Sequence, residues 1–179
     1  MDQKDRRSDQ GLVFGLILLG VVARFVPHPP NVTPLTAIAL FGGAYLPKAW
    51  GIGLPLLTIA LSDLVIGVHD VIAFTWASVA LTAVLGWWVR RRAGVRRLVG
   101  ASLLGSTIFF LVTNFGVWLF GHGGTMYPKT VAGIAQCYVA AVPFYRNALL
   151  GDLIYTSAIF GLYAWASRGA LLHAVARSR

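Results

Sequence analysis

From residue 11 to residue 167 the chain is a succession of long apolar blocks, separated by short segments rich in proline, glycine or charge. A membrane-crossing helix needs about 20 consecutive apolar residues, and blocks of this kind in series are the pattern of a polytopic membrane protein. Composition agrees. The 179 residues are 57% hydrophobic and 12% charged, whereas soluble domains carry roughly 25% charged residues.

The acidic residues say more than the net charge of +9. There is no Glu, and Asp2, Asp5 and Asp9 lie in the polar N-terminal stretch, which leaves Asp63, Asp70 and Asp152 for the whole apolar body. The arginines sit where membrane topology would put them, so nucleic acid is not an expected partner. A single cysteine, Cys137, excludes an internal disulfide and a multi-cysteine metal site. The first apolar run follows a charged tail as in a signal peptide. However, Arg24 and Pro27-His28-Pro29-Pro30 follow it without a small-x-small cleavage signature, so it reads as a retained helix.

The chain therefore reads as an all-α membrane protein: a cytosolic tail over 1–10, a six-helix transmembrane domain over 11–168 and a basic tail over 169–179. Helices are expected at 11–26, 34–46, 50–68, 71–89, 98–120 and 146–167. Prolines make 27–34 non-helical. The second helix is short for a span, and 121–145 reads as a long, weakly apolar connection. Twelve cations, including Lys48 and the five arginines of 90–97, fall on one side, and Arg24, Lys129 and Arg146 on the other. By the positive-inside rule both termini are cytosolic. Ser62-Asp63-Leu64-Val65 and Gly151-Asp152-Leu153-Ile154 occupy the third and sixth helices, the pattern an inverted repeat of three plus three helices would leave.

With that topology, Asp63, Asn114 and Asp152 are expected at one level, about 7 to 9 Å beneath the outer ends of their helices. Polar groups avoid lipid, so all three should face the bundle interior or a water-filled recess. On the expected helical faces Asp152 has Tyr145, Ala148, Tyr155 and Thr156 beside it, and Asn114 has Thr107, Phe110 and Trp118. Aromatic, small and hydroxylated neighbours suit a small-molecule pocket. They equally suit close helix packing, and the aspartates could equally form structural ion pairs with Arg24 or Arg146. His28, His69, Asp70 and His122 show no metal-ligand spacing, and Asp70 fits an N-cap. No cofactor, metal or catalytic residue is assigned. The arginine loop reads as a lipid-facing anchor.

Several segments resemble a family of uncharacterised small bacterial membrane proteins, itself similar to the substrate-binding S components of energy-coupling-factor (ECF) transporters. They are Arg24 with Pro27–Pro34, Phe41-Gly42-Gly43-Ala44-Tyr45, Ser62-Asp63-Leu64, Thr113–Trp118, Tyr127–Thr130, Cys137–Ala141, and Asn147 with Gly151-Asp152-Leu153, within 12–165. The resemblance implies an S-component-like bundle of six helices in the bacterial inner membrane. It also implies a vitamin-sized pocket near the outer face, closed by extracellular loops, and an ECF-type coupling subunit with two ATPases as partners. Asn31 and Asn147 join Asp63, Asn114, Asp152, Trp118, Tyr155 and Arg24 as expected substrate-binding residues. One departure is plain: S components often carry Ala-x-x-x-Ala in helix 1, where this chain has Gly11-x-x-x-Gly15, with Ala39-x-x-x-Gly43 in helix 2. The expected function is a binding subunit or solitary importer for a small vitamin-like or micronutrient solute. An intramembrane enzyme and a structural or assembly protein are the alternatives.

Overall fold

The computed structural model describes residues 3–91 and 94–177, and the side-chain surroundings of 11–90 and 94–167. Six helices follow one another: α1 (Gln3–Ala23), α2 (Leu35–Tyr45), α3 (Lys48–Ile66), α4 (Ile72–Arg91), α5 (Val95–Gly124) and α6 (Val131–Arg177). No strand occurs among the described residues. Four helices, α3 to α6, are long and apolar enough to cross a membrane. Leu64, Val139, Ile154 and Leu162 are exposed, while Thr58, Ser78, Thr82, Ser102 and Ser106 are buried. An apolar exterior around a hydroxyl-bearing interior is consistent with a membrane protein, because lipid solvates the first and offers nothing to the second.

The helix that organises the others is the shortest. α2 touches all five other helices, most extensively α4 and α3. Nine of its eleven residues are buried, with Ala37 to Phe41 wholly enclosed. Its composition explains how so many neighbours fit. A Cβ on Gly43 would stand 2.0 Å from the Ala83 carbonyl oxygen, and one on Gly86 2.5 Å from that of Leu40. The backbones of α2 and α4 touch there without intervening side chains.

Burial leaves the ends of α2 to be satisfied by protein. Arg90 of α4 reaches its C-terminal end, where Nε donates to Ala44 O at 2.8 Å and Nη2 donates to Leu46 O. A cation suits the negative end of a helix dipole. Arg90 was expected in a lipid-facing loop, and instead it turns inward to cap this helix.

The largest departure from expectation is α6. It starts at Val131 rather than 146 and carries Pro143 inside it. The 131–145 stretch read as part of a weakly apolar connection that opens with Gly121, Gly123, Gly124 and Tyr127-Pro128-Lys129. It is also rich in alanine, and it lies along α5, whose contacts hold it in register. Cys137 Sγ lies 3.4 Å from Asn114 O, Tyr138 OH donates to Leu111 O at 2.7 Å, and Thr107 Oγ1 pairs with Tyr145 OH at 2.8 Å. At 47 residues, α6 is about 70 Å long. The regular part of α5 ends near Phe120, since Gly121, His122 and Gly123 leave helical geometry. Most of both expected tails is helical, as α1 begins at Gln3 and α6 reaches Arg177. The side chains of Lys4, Arg6, Arg7, Arg91, Arg92, Arg168, Arg177 and Arg179 lie outside the described residues.

The two halves do not pack equivalently. Among the described residues α1 lies on α3 and barely touches α2, whereas α4 lies on α5 and makes no close backbone approach to α6. An inverted repeat would match these pairings, so the four-residue likeness around Asp63 and Asp152 is not accompanied by a repeated arrangement.

The α2–α4 contact makes a prediction. Gly43→Ala should destabilise the protein by about 3 kcal/mol through overpacking against backbone that cannot yield. Gly53→Ala, with open space beside it, should leave the melting temperature in detergent unchanged or slightly raised. Equal melting temperatures for the two variants would refute the close approach.

Candidate functional site

Two recesses open beneath the 27–34 loop. The first, of about 240 Å³, is walled by residues that include Arg24, Asn31, Thr36, Thr75, Thr82 and Asp152. The second, of about 390 Å³, lies beside it under the 124–130 turn, with Asn114, Thr113, Cys137 and Tyr127 in its wall. Asn31, Thr75 and Phe109 line both, so they form the partition between neighbouring chambers.

The end of α1 supplies the first charge. Arg24 follows the last helical residue, and its Nη1 donates to Ser62 Oγ at 2.7 Å and stands 2.8 Å from Asp63 Oδ1 as an ion pair. Trp76 Nε1, from the second turn of α4, donates to the other carboxylate oxygen at 2.8 Å. Asp63 thus faces a cation at Oδ1 and accepts a hydrogen bond at Oδ2, and it is 3% exposed at its side chain. Burying two charges is tolerable when they meet closely and find further hydrogen bonds, here Arg24 to Ser62 and Trp76 to Asp63. The pair joins α1, α3 and α4, and Arg24 still borders the first chamber.

Asp152 is treated differently. Ser106 Oγ donates to its Oδ2 at 2.6 Å, and Thr36, in the first turn of α2, lies beside the carboxylate. It is 3% exposed. No cation among the described residues reaches it at ion-pair distance, Arg146 included, which stands exposed on α6. The 27–34 loop comes down next to it. Asn31 holds a positive φ of 65° at the loop's turn, and Val32 rests on Gly151, where a Cβ would stand 3.1 Å from Val32 Cγ1. A larger residue there would press on Val32, so glycine lets the loop sit close.

These contacts correct the expected common depth. Asp152 is level with Ser106 on α5, whereas Asn114 is level with Cys137. Eight residues along α5 separate Ser106 from Asn114, about 12 Å. The error came from starting α6 at 146, which placed Asp152 too close to the helix end. Asn114 instead donates from Nδ2 to Phe110 O at 2.8 Å and lines the second chamber.

The other expected residues scatter. Trp118 donates to Pro128 O at 3.0 Å and lies under the Lys129 ammonium, fastening the turn outside both chambers. Tyr155 is half-buried and faces α1 across a shallow groove. Asn147 is half-buried on α6 and lines neither chamber. Asp70 accepts from Gly123 N at 3.3 Å and so ties two turns together rather than capping α4. No group of three His, Cys, Asp or Glu side chains that could hold a metal comes together among the described residues. Sequence reasoning missed Thr36, Thr75, Thr82 and Ser106, because isolated hydroxyls in apolar runs look like packing residues. The signal was their recurrence on α2, α4 and α5, the elements that surround Asp152.

The chain belongs to a family of unknown function (DUF6580), whose match covers residues 4–174. No curated protein and no solved structure matches it.

The Arg24–Asp63 pair is testable by a double-mutant cycle. Arg24→Leu alone strands a buried carboxylate and should cost about 3–5 kcal/mol, while the double change with Asp63→Leu should recover much of that loss. Additive losses measured by thermal unfolding would show that the two side chains do not depend on each other.

Proposed function

We propose that this protein is a membrane-embedded binding subunit, or a solitary importer, for a small polar solute, held in the first chamber beneath the 27–34 loop. The observation that carries this reading is Asp152, a carboxylate without a counter-ion among the described residues, in the wall of a 240 Å³ cavity inside an apolar bundle. A buried ionisable group in such a place is expensive and marks a functional site. In this reading α1 and α3 to α6 cross the inner membrane, and α2, too short to span it by itself, completes its passage together with the recessed 27–34 loop; both termini, Lys48 and Arg90 are on the cytosolic side and the loop faces outside. The arrangement is the one expected of an S component of an energy-coupling-factor transporter, and the bilayer is its first partner.

The small-residue pairs bear on a second partner. Ala39 and Gly43 are enclosed against α4 and cannot dock anything. Gly11 and Gly15 stand exposed with open space beside them, leaving that strip of α1 as the surface a coupling subunit would meet.

A second reading has its own observation. Asp152 lies beside Thr36 at the N-terminal end of α2, where a negative group is favoured by the helix dipole. It would then be structural, the counterpart of Arg90 at the other end.

One experiment separates the two. The full chain is purified in mild detergent and any retained small molecule is identified by mass spectrometry. Under the binding reading, Asp152→Asn lowers affinity for that molecule about tenfold or more, a loss of at least about 1.4 kcal/mol, while the variant stays monodisperse. Under the structural reading, Asp152→Asn lowers the melting temperature and leaves the affinity of the folded fraction unchanged. That second outcome would reject the first chamber as the binding site.

A further inference from the structure

We infer that the solute is a small organic monocation with N–H donors, an ammonium or amidinium, whose charged end meets Asp152; this rests on the binding reading above. The first argument is the charge carried by the chamber. Arg24 is neutralised by Asp63 at 2.8 Å, so the only wall carboxylate left without a counter-ion among the described residues is Asp152. His28 Nδ1 stands 2.6 Å from Val26 O, so that nitrogen carries its proton and the ring presents Nε2, an acceptor in the neutral imidazole. With Arg24 paired to Asp63, Asp152 is the acidic group in the described wall that a cationic solute can meet.

The second argument is the direction of the hydroxyls. Thr75 Oγ1 donates to Val71 O at 3.2 Å and Thr82 Oγ1 donates to Ser78 O at 2.9 Å. Each hydroxyl has one proton, and both are spent on the helix backbone. What Thr75 and Thr82 can turn toward the chamber is therefore lone pairs. Asp152 and these two threonines together form an acceptor-rich part of the wall, which elsewhere holds the donors of Arg24. A neutral alcohol would satisfy one or two of these acceptors and a carboxylate would be repelled. A protonated amine matches charge and direction at once.

Size and ligand count narrow the class further. Drug-sized ligand pockets run from about 300 to 1,000 Å³, and 240 Å³ falls below that range, so the solute is small. A divalent metal is a poor occupant, since it requires several oxygen or nitrogen ligands and Asp152 is the one carboxylate lining the chamber among the described residues. Arg24 keeps its Nε and Nη2 donors beside the chamber and offers them to an acceptor elsewhere on the solute.

The test uses three isosteric probes, benzylammonium, benzyl alcohol and benzoate, titrated calorimetrically into the full chain in detergent. The expected result is that benzylammonium binds at least tenfold more tightly than either isostere, and that Asp152→Asn brings it to parity with benzyl alcohol. Size-exclusion chromatography checks that the variant is folded. If it is not, the charge series on the wild-type chain decides alone. Equal binding of all three probes, or preference for benzoate, overturns the monocation and leaves the binding reading intact. Binding of none also overturns it, and the binding reading then falls as well when purified protein retains no solute.

Discussion

The bundle depends on enclosing one short helix, nine of whose eleven residues are buried among its neighbours. α2 is eleven residues long, about 16 Å, too short to span a membrane by itself. Isolated helices of that length are marginal even in favourable sequences, because nucleation is costly and few bonds repay it. Here tertiary contact does what propensity cannot. Gly43 and Gly86 let α2 and α4 meet backbone to backbone, and Gly42 meets Gly51 of α3 in the same way. Such contacts gain dispersion energy without immobilising side chains, which matters where lipid removes the hydrophobic drive for helices to associate.

A buried helix also concentrates polarity at its ends. Arg90 answers the carbonyl end of α2, and Thr36 with Asp152 stands at the amide end. The first chamber lies at that amide end, where the chain leaves the 27–34 loop and begins α2. The same short helix thus creates both the packed centre of the molecule and the place where packing stops. A longer α2 would fill the space below the loop.

Much of this was legible from residues alone. Apolar blocks, proline punctuation and the distribution of arginines indicate six helices and their order. The scarcity of carboxylates singles out Asp63 and Asp152, and Arg24 stands out as a cation on the sparse side. What could not be read was register. Pro143 looks like a helix boundary in sequence, yet α5 holds the chain helical through it, and every depth estimate on α6 moved with that misplacement. Likewise Arg90 is indistinguishable in sequence from its neighbours in the arginine cluster. Only the position of the end of α2 explains why it turns inward. Hydroxyl residues were missed because their role depends on which carbonyl takes their proton, and a linear reading carries no such information.

The continuity of α6 has a mechanical corollary. Gly151 bears the weight of Val32 from the loop above the chamber, and Asp152 borders the chamber itself. From there the helix runs unbroken by proline to Arg177, the last residue of α6, a rod of about 38 Å. Whatever shifts the loop against Gly151 acts near the midpoint of α6, at the near end of this rod. A tilt of a few degrees there displaces the far end by about 2 or 3 Å over that length. Occupancy of a chamber at one face of the bundle would thereby be written as a displacement at the opposite face, by lever geometry alone.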